Sequence, residues 1–275
     1  MSKHPLENKH PFHLVENSPW PFGIALSVFF MVMSAVSYMH GYQGFGIWFV
    51  QSLFIVFFLV LIWCRDIIRE ATFEGKHTLE VQRIVKFAVL LFFASEVMFF
   101  SAVFAAFFNC SIIPSVTIGG IWPPKGVEPF SPWGLAFLNT LILLASGASV
   151  TWAHHALKAG LKNEVIAGLS VGIVLGCLFS VLQTYEYLFS PFTISDGIYG
   201  ATFYLATGFH GLHVCAGVLL LNAVLAHTIE GHYTAKHHVG FEAALWYWHL
   251  VDVVWLFLFV SIYWWGGEYK VPTEL

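Results

Sequence analysis

The chain has 275 residues, of which 58% are hydrophobic and only 10% charged, and its mean hydropathy is +0.74. A soluble domain carries about 25% charge, so the composition excludes a water-soluble enzyme and identifies an integral membrane protein. The net charge of −4 says little, because the charges sit in loops and at helix ends; no basic patch suggests nucleic acid.

Residues 1–19 are polar, carry histidines and lack arginine. They match neither a cleavable signal peptide nor an Arg-rich transit peptide, so the first span is expected to act as its own insertion signal. Seven apolar runs long enough to cross a bilayer follow, at 20–39, 46–64, 87–108, 134–153, 165–188, 198–226 and 243–265. Pro19 and Pro21 introduce the first, His40-Gly41 ends it, and Trp122-Pro123-Pro124 marks the loop after the third. Trp264-Trp265 at the last span end suits an interfacial belt. Cys64, Cys110, Cys177 and Cys215 are isolated and read as packing residues.

The third run, FAVLLFFASEVMFFSAVFAAFF, holds Glu96 and no other charge. At mid-depth of a hydrocarbon core a charged carboxylate costs about 2.5 kcal/mol or more, so such a group faces protein or a water cavity and is paired or protonated. Glu96 is therefore either a structural acid hydrogen-bonded to a neighbouring helix or a functional carboxylate. His210 and His213, three residues apart on the sixth span, arrive at a comparable depth as candidate partners. Fourteen histidines raise the question of a metal. The pairs His154-His155 and His237-His238 lie at span ends, and His249 shares a face with Asp252. No open metal-binding arrangement or P-loop is evident, so no metal site and no catalytic residue are expected in this chain.

Of the 12 Lys and Arg residues, all but Lys125 and Lys270 fall at the N-terminus or in the connections on its side of the membrane. This bias predicts an N-terminus on the inner side. Gly168, Gly172 and Gly176 give the fifth span a flat stripe, and Ala145–Ser149 crowd the fourth with small residues, which points to close packing within a bundle.

Several blocks in one order then carry a family resemblance: RDIIREATFEGKHT (65–78), SEVMFF (95–100), GGIWPPKG (119–126), VTWAHHAL (150–157), SPFTISDGIYGATFYLATGFHGLHV (190–214) and HHVGFEAALWYWHLVDVVWLFLF (237–259). The chain resembles subunit III of the haem–copper cytochrome c oxidases over nearly its whole length. The resemblance implies an all-α integral membrane protein of seven transmembrane helices, two of them splayed from a five-helix bundle by a cleft filled with phospholipid. The corresponding divisions are a polar inner segment (1–19), a two-helix unit (20–65), an inner loop (66–86), the bundle (87–267) and an outer tail (268–275). It further implies a non-catalytic core subunit, with haem and copper in partner subunits, chief among them catalytic subunit I. Glu96 matches the family's buried, carbodiimide-reactive carboxylate. Trp63, Arg65, His77 and Lys86 match its lipid-binding positions, and His227 stands at a further one where some members carry Arg, which implies a weakened phosphate contact unless the imidazole is protonated. Cys64 replaces a Trp common in the family, so lipid contacts here are expected to differ in tightness.

The alternatives are subunit III of a quinol oxidase, a nitric-oxide-reductase accessory protein, or a transporter or proton channel using Glu96. The compact, leaderless form favours the mitochondrial inner membrane, with the N-terminus in the matrix, over a bacterial cytoplasmic membrane. Impermeant amine labelling is expected to reach Lys76 from the same side as the N-terminus; labelling from opposite sides would overturn the topology.

Overall fold

In the computed structural model the described residues are 10–267, so Lys3, Lys9, Lys270 and the expected outer tail lie outside them. Among the described residues every long element is helical and there is no strand. Seven helices are long and apolar enough to cross a membrane. They are α1 (Trp20–Met39), α2 (Phe45–Thr72), α3 (Leu79–Ile112), α4 (Phe137–Ala159), α5 (Lys162–Leu188), α6 (Gly197–Glu230) and α7 (Val239–Leu258). A wide π turn, Pro132–Ala136, leads into α4, and a second, Phe259–Trp265, continues α7.

The first helix has the bounds its apolar run predicts, whereas most others extend further. Residues 66–86, expected as a loop, are helical over 66–72 and 79–86, leaving 73–78 as the connection. Hydrophobicity marks only the stretch inside hydrocarbon; the i→i−4 hydrogen bonds continue into water wherever no Pro or Gly interrupts them.

The chain divides into two compact units, 1–85 and 86–275. In the first, α1 and α2 pair as an antiparallel hairpin. The Trp20 indole N–H at the start of α1 donates to Asp66 near the end of α2, at 2.7 Å. Of their residues only Ser34 and Ser52 are buried and the rest are exposed or half-buried, as suits surfaces that meet lipid rather than a protein core. Beneath the hairpin, Lys76 pairs with Glu74 at 2.8 Å and with Glu16 at 3.3 Å, and the Thr78 hydroxyl donates to the Pro11 carbonyl at 2.5 Å. The Lys76 ammonium, chiefly, holds the Glu74 carboxyl below its ordinary range, and Glu74 and Glu16 raise Lys76 in turn.

The second unit is built around α7, whose Trp248, Trp255 and Leu258 are almost fully buried. Trp248 lies in a slot between α5 and α6. A Cβ on Gly176 would come within 2.7 Å of its ring, and one on Gly217 within 2.6 Å. Its indole N–H donates to Ser146 on α4 at 3.1 Å, and that hydroxyl donates to the Gly172 carbonyl at 2.7 Å. Seven residues on, the Trp255 N–H donates to Thr140 at 2.9 Å. The small residues of α4 and α5 thus bring the two backbones close enough for hydroxyl-to-carbonyl bonds, repeated by Ser149 to Gly168 at 2.8 Å.

Gly217→Ala is expected to destabilise the bundle by about 1–3 kcal/mol, because a rigid indole ring must move. Gly211→Ala, whose Cβ meets nothing within 4 Å, should stay within about 0.5 kcal/mol of the parent. Thermal unfolding in detergent distinguishes them, and equal effects would refute a filled slot.

Candidate functional sites

Glu96 sits on α3 with its side chain 19% exposed, and His213 on α6 with 18%. The Glu96 Oε2 to His213 Nε2 distance is 2.7 Å. His213 Nδ1 is 2.6 Å from the Phe209 carbonyl one turn earlier. A carbonyl only accepts, so Nδ1 carries a proton there. A 2.7 Å approach of Nε2 to a carboxyl oxygen then requires one further proton between them, and the pair as a whole is neutral. Phe100, at 5.0 Å between ring centroids, and Tyr247, at 6.4 Å, pack against the imidazole. The arrangement can hold one proton in a largely apolar surround.

His210 is not part of this pair. It is buried against Trp255 and Phe179, and its Nε2 donates to the Val251 carbonyl at 3.2 Å. Residues three apart differ by about 60° around a helix, which is enough to send one imidazole to α3 and the other to α7.

Trp63, Arg65 and His77 line one groove of about 700 Å³ in the first unit, together with Trp20, Arg69 and Ile84. Arg65 bonds Asp66 through Nε at 3.1 Å and Nη2 at 2.8 Å, yet its side chain is 69% exposed, so guanidinium donors remain for an anion. Burial lowers the His77 imidazole below its ordinary value; His13 adds to the effect and Glu70 opposes it. His77 is therefore a neutral hydrogen-bonding group at pH 7. Lys86 and His227 belong to the second unit. Lys86 forms an ion pair with Glu242 on α7, and His227 meets His232 at 2.8 Å.

Among the described residues, two groups bring enough imidazole and carboxylate together to hold a metal ion: His154 with His238 and Glu242, and His227 with Glu230 and His232. In the first, the Lys86 ammonium already neutralises Glu242. Neither grouping was anticipated, because each needs the helix ends to be known.

Other buried polar groups also escaped the sequence reading. Glu186, 4% exposed, is 3.5 Å from the Tyr263 hydroxyl, which in turn accepts from Gln183 at 3.2 Å. Asp252 lies 3.5 Å from His249 Nδ1, and His249 Nε2 is 3.0 Å from the Thr151 hydroxyl. The i, i+3 spacing of His249 and Asp252 was visible beforehand; the partners of Glu186 were too distant in sequence to be seen.

A sequence model of the family described as cytochrome c oxidase subunit III matches residues 10–267. Curated relatives with the name cytochrome c oxidase subunit 3 align over nearly their full length. The Marchantia polymorpha protein is 54% identical over 263 residues, 96% of this chain and 99% of its own. That of Arabidopsis thaliana is 53% identical over 259 residues, 94% and 98% respectively. That of Prototheca wickerhamii is 52% identical over 259 residues, 94% and 99%.

Glu96→Gln retains an amide N–H that can meet His213 Nε2, so unfolding should stay within about 0.5 kcal/mol of the parent. Glu96→Leu leaves that imidazole nitrogen unsatisfied and should lose about 1–3 kcal/mol in a thermal or denaturant melt. Identical melts for the two variants would remove Glu96 from any structural role.

Proposed function

The chain belongs to the cytochrome c oxidase subunit III family, and on that premise we propose that it acts as the lipid-bearing, redox-silent support of the oxidase's catalytic subunit. It is a component of the terminal respiratory oxidase, which passes electrons from cytochrome c to O₂. Its seven apolar helices make it a multi-span membrane protein. The plant and algal relatives favour the mitochondrial inner membrane, and the Lys and Arg distribution favours a matrix-side N-terminus.

The observation that carries the lipid-binding reading is the groove that gathers Trp63, Arg65 and His77. Its chemistry suits a phospholipid headgroup. Arg65 supplies a charged, forked donor for phosphate, His77 a neutral hydrogen bond, and Trp63 an amphipathic ring of the kind enriched at the headgroup level. Arg69 lines the same groove with its side chain 72% exposed and its Nε 3.3 Å from Glu74, so it offers further donors. Within this reading the Glu96–His213 pair is a positioning element of the bundle. Its enclosure by aromatic rings gives no support to a transporter or channel that uses Glu96 as a carrier site.

Affinity purification through this chain is expected to bring down haem-bearing partners, detected by their visible absorbance, together with phospholipid counted by mass spectrometry. Arg65→Ala combined with Trp63→Ala should remove roughly one phospholipid per complex. Unchanged lipid content in the double variant would sink the headgroup assignment, and purification without haem would sink the supporting role.

A further inference from the structure

We propose that the inner end of α6 is a binding site for a divalent metal ion of the zinc class, built from His227, Glu230 and His232. The three potential ligand atoms converge. His227 Nδ1 and His232 Nδ1 are 2.8 Å apart, and Glu230 Oε2 lies 3.3 Å from the second and 3.8 Å from the first. The edge of a tetrahedron with ligands 2.0–2.1 Å from its centre is about 3.3 Å. The observed separations bracket that length, so only small side-chain adjustments are needed. Two imidazoles and one carboxylate leave the fourth position to water.

The backbone places these groups without help from elsewhere. Helix α6 ends at Glu230, and Gly231 takes φ +80°. The His232 N–H returns to the His227 carbonyl at 3.0 Å, and the Gly231 N–H to the Thr228 carbonyl at 3.1 Å. This is a Schellman ending, which brings the side chains of its first and last residues into contact, commonly as an apolar pair. Here the pair is two imidazoles, with a carboxylate between them in sequence. The C-terminal end of a helix dipole also favours a cation.

The surroundings argue for a cation over an anion. Glu230 would repel a phosphate drawn to either imidazole. Lys162 directs its ammonium to the Ile229 carbonyl, at 2.7 Å. Tyr233, edge-on to His227, brings no charge to the site. On binding, the metal takes both Nδ1 lone pairs, and the proton shared between the imidazoles moves to an Nε2. His227 therefore becomes a metal ligand rather than the weakened phosphate contact expected from the resemblance. The Glu230 side chain is 60% exposed, which leaves an entry path from water.

The test uses the intact purified complex, treated with chelator and equilibrated by dialysis against graded Zn²⁺. The parent should hold one more tight equivalent than complexes with His232→Gln or His227→Arg. Glu230→Gln, which preserves shape, should weaken that equivalent by about 10-fold or more, since even second-shell changes cost that much. Zinc should also slow amide exchange over residues 231–236 in the parent and not in His232→Gln. Equal zinc content and affinity across all four proteins would overturn the site. So would unchanged zinc binding in His227→Arg accompanied by a change in bound phospholipid, which would assign the imidazole to a lipid phosphate.

Discussion

The second unit depends on the seating of Trp248. One indole ring occupies the space that two glycines leave open on α5 and α6, and its single N–H closes on a hydroxyl of α4. In lipid there is little hydrophobic drive to bring helices together, so close packing and interhelical hydrogen bonds must suffice, at about 0.6–2 kcal/mol for each bond. Concentrating both at one residue makes four helices share a contact. Ser146 is satisfied on both sides, accepting from the indole and donating to the Gly172 carbonyl. Moving α7 therefore leaves the Ser146 hydroxyl without its donor and empties the space between Gly176 and Gly217.

The remaining polar groups in the spans follow the same economy. Hydroxyls turn back to the preceding turn of their own helix, as Ser34 does to Phe30 at 2.7 Å and Thr228 to Val224 at 2.8 Å. Glu96 and Glu186 find a partner on another helix, His213 and Tyr263, whereas Asp252 turns to His249 on its own. These pairings match what a bilayer demands, where an unpaired polar group has no water to turn to. They also leave the two best-formed imidazole–carboxylate clusters at helix ends, where ligands can reach them.

The number and order of helices were legible because each apolar run is long and the charges between runs are sparse. Helix ends were less so: residues 66–72 and 79–86 are polar enough to read as a loop, yet nothing in them breaks a helix. At Glu96, composition could establish that a partner was needed, and periodicity offered two histidines. Choosing between them required knowing which groove each imidazole enters. The Trp248–Ser146 bond joins residues 102 apart, and Glu186–Tyr263 joins residues 77 apart. No local pattern foretells such pairs. The HTIEGH segment, by contrast, holds its three ligand candidates within six positions, and only the location of the helix terminus was missing.

The clasp below the first hairpin imposes an order on biosynthesis. Its amino-terminal half, Pro11 and Glu16, is made before α1 and α2, whereas its other half, Lys76 and Thr78, emerges only after both have been synthesised. Throughout that interval Glu16 and Pro11 are without Lys76 and Thr78. The clasp can therefore close only after both helices of the hairpin have been made, once the connection to the third helix leaves the ribosome.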